Sequence, residues 1–222
     1  MTLKESLDEL KIAFANFEVA ARSDDKTPLQ NALSLNEAKD NFAIVDESPT
    51  IIVFGDINRF KSVNTAYGYA AGDAAISHVG RLIHEKIVAC ELGQAYRPSG
   101  DEFIILLQSK CLSEFLLLTH LFSNCEVRFD DKIFSVGVSF GYAGSNEGVE
   151  FEIIKSKAEL ACKKAKTKGD GICLEWTEEL EQTSLKSLRH TCEKCESIIA
   201  CEVPERLELN KLMTCPACGN QL

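Results

Sequence analysis

Two short apolar runs, "TIIVFGD" (residues 50–56) and "EFIILLQ" (residues 102–108), constrain this chain more than any other feature. Each has the length of a strand and is rich in β-branched and aromatic residues. Each also carries carboxylates at one end: Asp56 closes the first run, while Asp101 and Glu102 open the second. Runs this continuously apolar suit strands buried on both faces, so the sheet they form needs helices on either side. The residues "QAYR" and "EFIILLQ" flank "PSGD", which predicts a hairpin with the acids at its tip.

The rest of the chain supplies those helices. "LKESLDELKIAFANFEVAAR" repeats Leu3, Leu7, Leu10, Phe14, Phe17 and Ala21 at alternating steps of four and three, a heptad seam over residues 1–23. Such a helix either lies on its own domain or pairs with a second copy. "AAGDAAISHVGRLIHEKIVACEL" shows helical spacing through Ala75, Val79, Leu82, Ile83 and Ile87, and "LSEFLLLTHLFSNC" reads as a further helix. "CEVRF" and "IFSVGVSFGYA" predict a second hairpin with one long alternating strand. "FEIIKSKAELACKKAK" predicts a helix closed by Gly169, and "GICLEW" a last strand. Strands alternating with helices, two hairpins among them, predict an α/β class with a mixed central sheet.

The 222 residues suit one ordinary domain and a small appendage. A net charge of −10 argues against a broad grip on nucleic acid or an anionic membrane, and favours small ligands or proteins as partners. No uncharged apolar run is long enough to span a membrane, and the start carries acids among its leucines, unlike a secretory signal. A soluble cytoplasmic protein is expected. Five of the ten cysteines are scattered singly through apolar segments, as buried free thiols are, and the others crowd into the tail.

A carboxylate at a strand end and another at an adjacent hairpin tip can converge to hold a hard cation beside phosphates. The surrounding residues make that reading specific. "GDINRFKSVNTAYGYAAGDAAISHVGRL" followed by "YRPSGDEFIILL" resembles the GGDEF family, the diguanylate cyclases, with matches at Asp56, Phe60, Lys61, Asn64, Gly68, Gly72, Asp73, Arg97, Gly100, Asp101, Glu102 and Phe103. "SVGVSFGYA" and "AELACKKAKTKGDG" are similar to later motifs of the family. Asp24, Thr27, Leu29 and Asn31 match its entry motif. The resemblance spans residues 24–176.

It implies a palm-like α+β fold and a metal, Mg²⁺ or Mn²⁺, on Asp56, the Ile57 carbonyl and Asp101. Glu102 would either orient the metal shell or accept the hydroxyl proton. Lys61 and Lys166 match positions that neutralise a triphosphate, and Phe60 and Gly100 fall in the same binding motifs. Asn64 and Asp73 match the pair that reads guanine; a carboxylate accepts from guanine N1–H and N2, where adenine offers an acceptor at N1. The implied activity joins two molecules of GTP into cyclic di-GMP with loss of pyrophosphate, in a homodimer built through the N-terminal helix or the tail. The alternatives are a catalytically degenerate guanine-nucleotide binder and a cyclase with a different, mixed product.

Several positions depart from the family pattern. Ser99 replaces a glycine, which matters only if that position needs a positive φ. Asn58 replaces an Asp, removing a negative charge and altering any second metal site. Tyr69 stands for a His, and Thr65 for an Asp. Asp170 reverses the charge of a phosphate-contacting Arg, with Lys168 beside it as a compensating cation. The run Cys90–Gly93 lacks both charges of the site at which product commonly inhibits, so no feedback through it is expected.

In the tail, Cys192, Cys195, Cys215 and Cys218 form two C-x-x-C pairs with nineteen residues between them. This spacing fits a four-thiolate zinc ribbon over residues 190–222, joined by a linker at 177–189. Cys201 or His190 could instead supply a ligand. Basic and acidic residues balance across the tail, which favours contact with a protein, or self-association, over nucleic acid.

Overall fold

The structure, a computed structural model, describes residues 3–42, 50–144, 149–182, 185–191 and 198–204. It falls into two units, residues 1–176 and 177–222. The first unit is built on a five-stranded sheet. Its strands are β1 (Thr50–Ile57), β2 (Gly93–Tyr96), β3 (Glu102–Gln108), β6 (Val138–Gly144) and β7 (Cys173–Glu175), in the order β2-β3-β1-β6-β7. Every pairing is antiparallel except β6 with β7, so the sheet is mixed, as expected.

Alternation along β1 decides which helices cover which face. Ile51, Val53 and Ile57 point to one side, into a core shared with α4 (Tyr69–Ile83), which gives Ala75, Val79 and Ile83, and with Phe115 of α5 (Leu112–Leu118). Ile52 and Phe54 point to the other side, against Leu35 of α2 (Ala32–Phe42) and Ile154, Ala158 and Cys162 of α6 (Phe151–Lys168). Helix α6 can lie close because Gly141 of β6 meets it at the small residues Ala158 and Cys162. A Cβ on Gly141 of β6 would stand 2.1 Å from the Cys162 nitrogen and 2.2 Å from the Ala158 oxygen.

The long alternating strand expected from "IFSVGVSFGYA" is interrupted. It divides at Gly137 into β5 (Lys132–Val136), which pairs only with β4 (Cys125–Phe129) in a separate ribbon, and β6 in the main sheet. The Gly137 carbonyl accepts from the Asn58 N–H at 2.8 Å, and a Cβ there would lie 2.5 Å from the Asp170 Cβ. The chain changes sheets where Asn58 and Asp170 crowd it.

Helix α1 (Leu3–Arg22) covers the predicted seam, but Leu7, Leu10, Phe14 and Phe17 are 51–69% exposed rather than laid on the domain. Beyond it the chain is fixed by a buried ion pair. Arg97 Nη1 lies 2.7 Å from Asp24 Oδ1, the two side chains 7% and 8% exposed. The other Asp24 oxygen accepts from the Lys26 and Thr27 N–H groups and the Thr27 hydroxyl. Thr27 is pressed onto α4, where a Cβ on Gly80 would meet its methyl at 2.4 Å.

In the second unit, the stretch expected to be a linker holds helix α7 (Glu178–Gln182) and strand β8 (Leu185–Thr191), which pairs antiparallel with β9 (Ile198–Pro204). Pairing with the β-prone run "IIACEVP" is a long-range effect that the polar local composition does not announce. The ribbon cysteines Cys192, Cys195, Cys215 and Cys218 lie outside the described residues. Among the described residues no helix is long and apolar enough to cross a membrane.

Removing Asp24 leaves the buried Arg97 charge with the exposed Asp25 carboxylate, 3.7 Å away, as its remaining partner, a loss of up to about 3–5 kcal/mol. Asp24→Ala is therefore expected to lower the denaturant midpoint strongly, whereas the double change Asp24→Leu with Arg97→Met costs clearly less. Equal losses in the two variants, measured by urea unfolding, would show that the pair does not carry this energy.

Candidate functional site

The antiparallel register sets Asp56 directly opposite Glu102, so both side chains leave the sheet on the face covered by α6. There Lys166 Nζ reaches Asp56 Oδ1 at 2.5 Å. That oxygen is sealed from solvent and has no aligned hydrogen-bond donor among the described residues. The contact is thus an ion pair without hydrogen-bond geometry, and the charge attraction holds regardless of the angle. Burial pushes the Asp56 carboxyl up to about 6, against the opposing pull of Lys166, with smaller upward contributions from Asp101 and Glu102. Burial, then Glu159, also raises Glu102.

The hairpin tip is held by its own backbone. Arg97 Nε donates to the Gly100 carbonyl at 2.9 Å, and the Ile57 N–H donates to the Asp101 carbonyl at 3.3 Å. The left-handed residue of this turn is Gly100, with φ 60°, and Ser99 is not among the positive-φ residues. The substitution at position 99 therefore costs no backbone strain, because the conformation that needs glycine lies one residue later.

Asp101 faces a cleft of about 440 Å³ lined also by Phe60, Lys61, Asn64, Thr65 and Tyr69, most of them from α3 (Phe60–Tyr67). This volume is within the range of small-molecule sites. The Asn64 side-chain oxygen is buried and has no hydrogen-bond partner among the described residues, and it occupies the space where a Cβ on Gly72 would be, at 1.9 Å. Asp73 follows Gly72 but is not part of the cleft lining. It is paired instead with Lys26, Nζ to Oδ1 at 2.6 Å. The structure thus brings Asp56, Glu102 and Lys166 into one group and Phe60, Lys61, Asn64 and Asp101 into another. The Ile57–Asp101 backbone bond joins the two.

Two departures from the sequence pattern turn out to be one feature. Asn58, 7% exposed, donates to Ser139 Oγ at 2.9 Å and to Asp170 Oδ1 at 2.7 Å, and Arg59 pairs with the other Asp170 oxygen. Asn58, Arg59 and Asp170 line a separate cleft on the opposite side of α3, with Ser62, Tyr67 and Ser123. Asn58 is turned toward Ser139 and Asp170, and the compensating cation for Asp170 is Arg59 rather than Lys168. Arg59 was not visible in the sequence as a functional residue; its left-handed φ of 54° is a property of the folded turn. Lys26 was missed too, since its partner is 47 residues away.

Among the described residues no group of three or more His, Cys, Asp or Glu side chains is clustered to hold a metal. The fit to a divalent ion rests on a smaller set. A buried carboxylate oxygen lacks a hydrogen bond, a second carboxylate is anchored next to it, and a lysine ammonium stands where a cation is needed. Such a donor set of hard oxygens suits Mg²⁺ or Mn²⁺.

A family model described as diguanylate cyclase, GGDEF domain, matches residues 21–171. The chain is 29% identical over 141 residues to diguanylate cyclase DgcS of Shewanella oneidensis, covering 64% of this chain and 45% of that protein. It is 28% identical over 187 residues to the cyclic di-GMP phosphodiesterase PdeR of Escherichia coli, covering 79% of this chain and 27% of that protein. The chain therefore spans less than half of either relative. Among solved structures it is similar to the coiled coil and GGDEF domain of DgcB from Caulobacter crescentus in complex with c-di-GMP. That likeness has a TM-score of 0.68 at 19% identity, over 78% of this chain and 94% of that one, and it extends to the fold alone.

Asp56 binds its proton more tightly folded than unfolded, so it contributes a penalty that is absent below about pH 4 and full above about pH 6. After discounting for its partial exposure, the penalty is about 1–2 kcal/mol. Asp56→Asn is expected to stabilise the metal-free protein at pH 7.5 and to be neutral at pH 4, read from urea midpoints. A variant that destabilises equally at both values would contradict this account of the site.

Proposed function

The chain belongs to the GGDEF domain family of diguanylate cyclases, and from that premise we propose that it condenses two molecules of GTP into cyclic di-GMP, releasing pyrophosphate. The observation that carries the proposal is Asp56 opposite Glu102 across paired strands and under Lys166, with the neighbouring Asp101 tied to the same strand by the bond from the Ile57 N–H to its carbonyl. Asp56, Asp101 and the Ile57 carbonyl would hold Mg²⁺ or Mn²⁺. When bound, such an ion would supply positive charge that stabilises the charge developing on the α-phosphate.

The remaining steps belong to the protein. Lys166 and Lys61 would neutralise the triphosphate. Glu102, whose proton affinity is raised by burial and by Glu159, is suited to take the proton of the attacking 3′-hydroxyl. Asn64 and Asp73 read the base, Phe60 lines its cleft, and Gly100 lets the phosphates approach the turn. Each GGDEF domain would hold one GTP, so two copies of the chain must face each other. The exposed apolar residues of α1 support a homodimer through that helix.

A second reading, a guanine-nucleotide binder without turnover, is favoured by one observation. Position 170 supplies a carboxylate, and its partners Asn58 and Arg59 are drawn into the cleft behind α3. The four-thiolate ribbon, read from spacing alone, is proposed to bind one structural Zn²⁺ through Cys192, Cys195, Cys215 and Cys218 and to serve as a protein contact.

Purified protein with Mg²⁺ and GTP is expected to release pyrophosphate and yield cyclic di-GMP, identified by mass. Asp101→Ala should lower turnover by at least about 100-fold. GTP binding without turnover at high protein concentration supports the second reading, and wild-type turnover in the variant removes Asp101 from the site. One zinc per chain by metal analysis, lost in Cys192→Ser, is expected for the ribbon; a zinc-free folded tail refutes it.

A further inference from the structure

Asp73 is not presented to solvent as a lone carboxylate. Lys26 Nζ lies 2.6 Å from its Oδ1, and the side chains of Lys26 and Asp73 are 36% and 50% exposed, so both remain accessible to a ligand. The placement of Lys26 is determined by its backbone. Its N–H donates to Asp24 Oδ2 at 3.2 Å, and Asp24 is locked to Arg97 in the interior. The next residue, Thr27, is wedged against Gly80, two helical turns beyond Asp73 on α4. A surface lysine on a free loop would sample many positions; this one is delivered to Asp73 by a buried anchor on each side of it.

We propose that Lys26 is a specificity-determining residue for the nucleotide base, donating to guanine O6 while Asp73 accepts from N1–H and N2; the inference rests on the guanine reading above. The Watson–Crick edge of guanine presents an acceptor at O6 and donors at N1 and N2 in sequence. A carboxylate takes two neighbouring donors and leaves O6 without a partner. An ammonium has three donors and no acceptor, so the group beside Asp73 has the one polarity that O6 requires. Adenine in the same pose sets its N6 amino group against the ammonium and its unprotonated N1 against the carboxylate, and both contacts are mismatched. Sites that hydrogen-bond a ligand group in this way reject the analogue strongly, because mismatched polar groups are left desolvated and unpaired. The Lys26–Asp73 contact in the free protein pre-positions both groups, and its own partial exposure makes it weak enough for a base to share.

Nucleoside diphosphates carry the base without a pyrophosphate leaving group, so their binding is separable from turnover. Calorimetry with the full chain would compare GDP, IDP and ADP in the presence of Mg²⁺. IDP keeps O6 and N1–H but lacks the N2 amino group. Lys26→Met, which retains the alkyl stem, is expected to weaken GDP and IDP alike by about 10- to 100-fold and to leave ADP within about twofold. Lys26→Arg, still a donor, should keep most of the GDP affinity, and unchanged melting temperatures would show that both variants are folded. Undiminished or tighter GDP binding in Lys26→Met overturns the inference while leaving the guanine reading intact. Wild-type protein that binds GDP no better than ADP overturns both.

Discussion

A guanidinium buried to 7% exposure cannot stand without a counter-charge, and Arg97 finds one in Asp24, 73 positions earlier in the chain. That one interaction couples three parts of the molecule. Through Nε, Arg97 fixes the Gly100 carbonyl and so the turn that presents Asp101. Through Asp24 it orders the segment after α1, which lies on α4 at Gly80 and carries Lys26 to Asp73. Were the pair lost, the hairpin tip and the Lys26–Asp73 pair would have no common reference.

The second organising constraint is the sheet itself. Antiparallel pairing of β1 and β3 sets Asp56 against Glu102, and alternation sends both toward α6, where Lys166 waits. Burying a carboxylate this way works against stability, and natural folds keep such arrangements where chemistry uses them. The same alternation sends Val53 and Ile57 into the opposite core, so the strand is anchored on one face while its end presents Asp56 on the other.

Much of this was legible beforehand. The strands at 50–56 and 102–108, the hairpin acids and the helix closed at Gly169 follow from local patterns of apolar residues, glycine and charge. What local patterns missed were pairings made across the chain. The break at Gly137 depends on Asn58 and Asp170, the partner of Asp170 is Arg59, and residues 185–191 become a strand only because 198–204 lie beside them. Lys26 carries no sequence signal of its own, and only the packing of Thr27 on α4 sets it beside Asp73. The four tail cysteines carry a strong spacing signal that lies outside the described residues.

The central claim is that Asp56 and Asp101 jointly hold a divalent ion next to a nucleotide. Anomalous diffraction from crystals grown with Mn²⁺ and a non-reacting GTP analogue tests it most directly. The account predicts a manganese peak about 2.0–2.4 Å from carboxylate oxygens of both residues, with the Ile57 carbonyl as a further ligand. A nucleotide bound in the cleft with manganese elsewhere, or liganded by neither carboxylate, would contradict it.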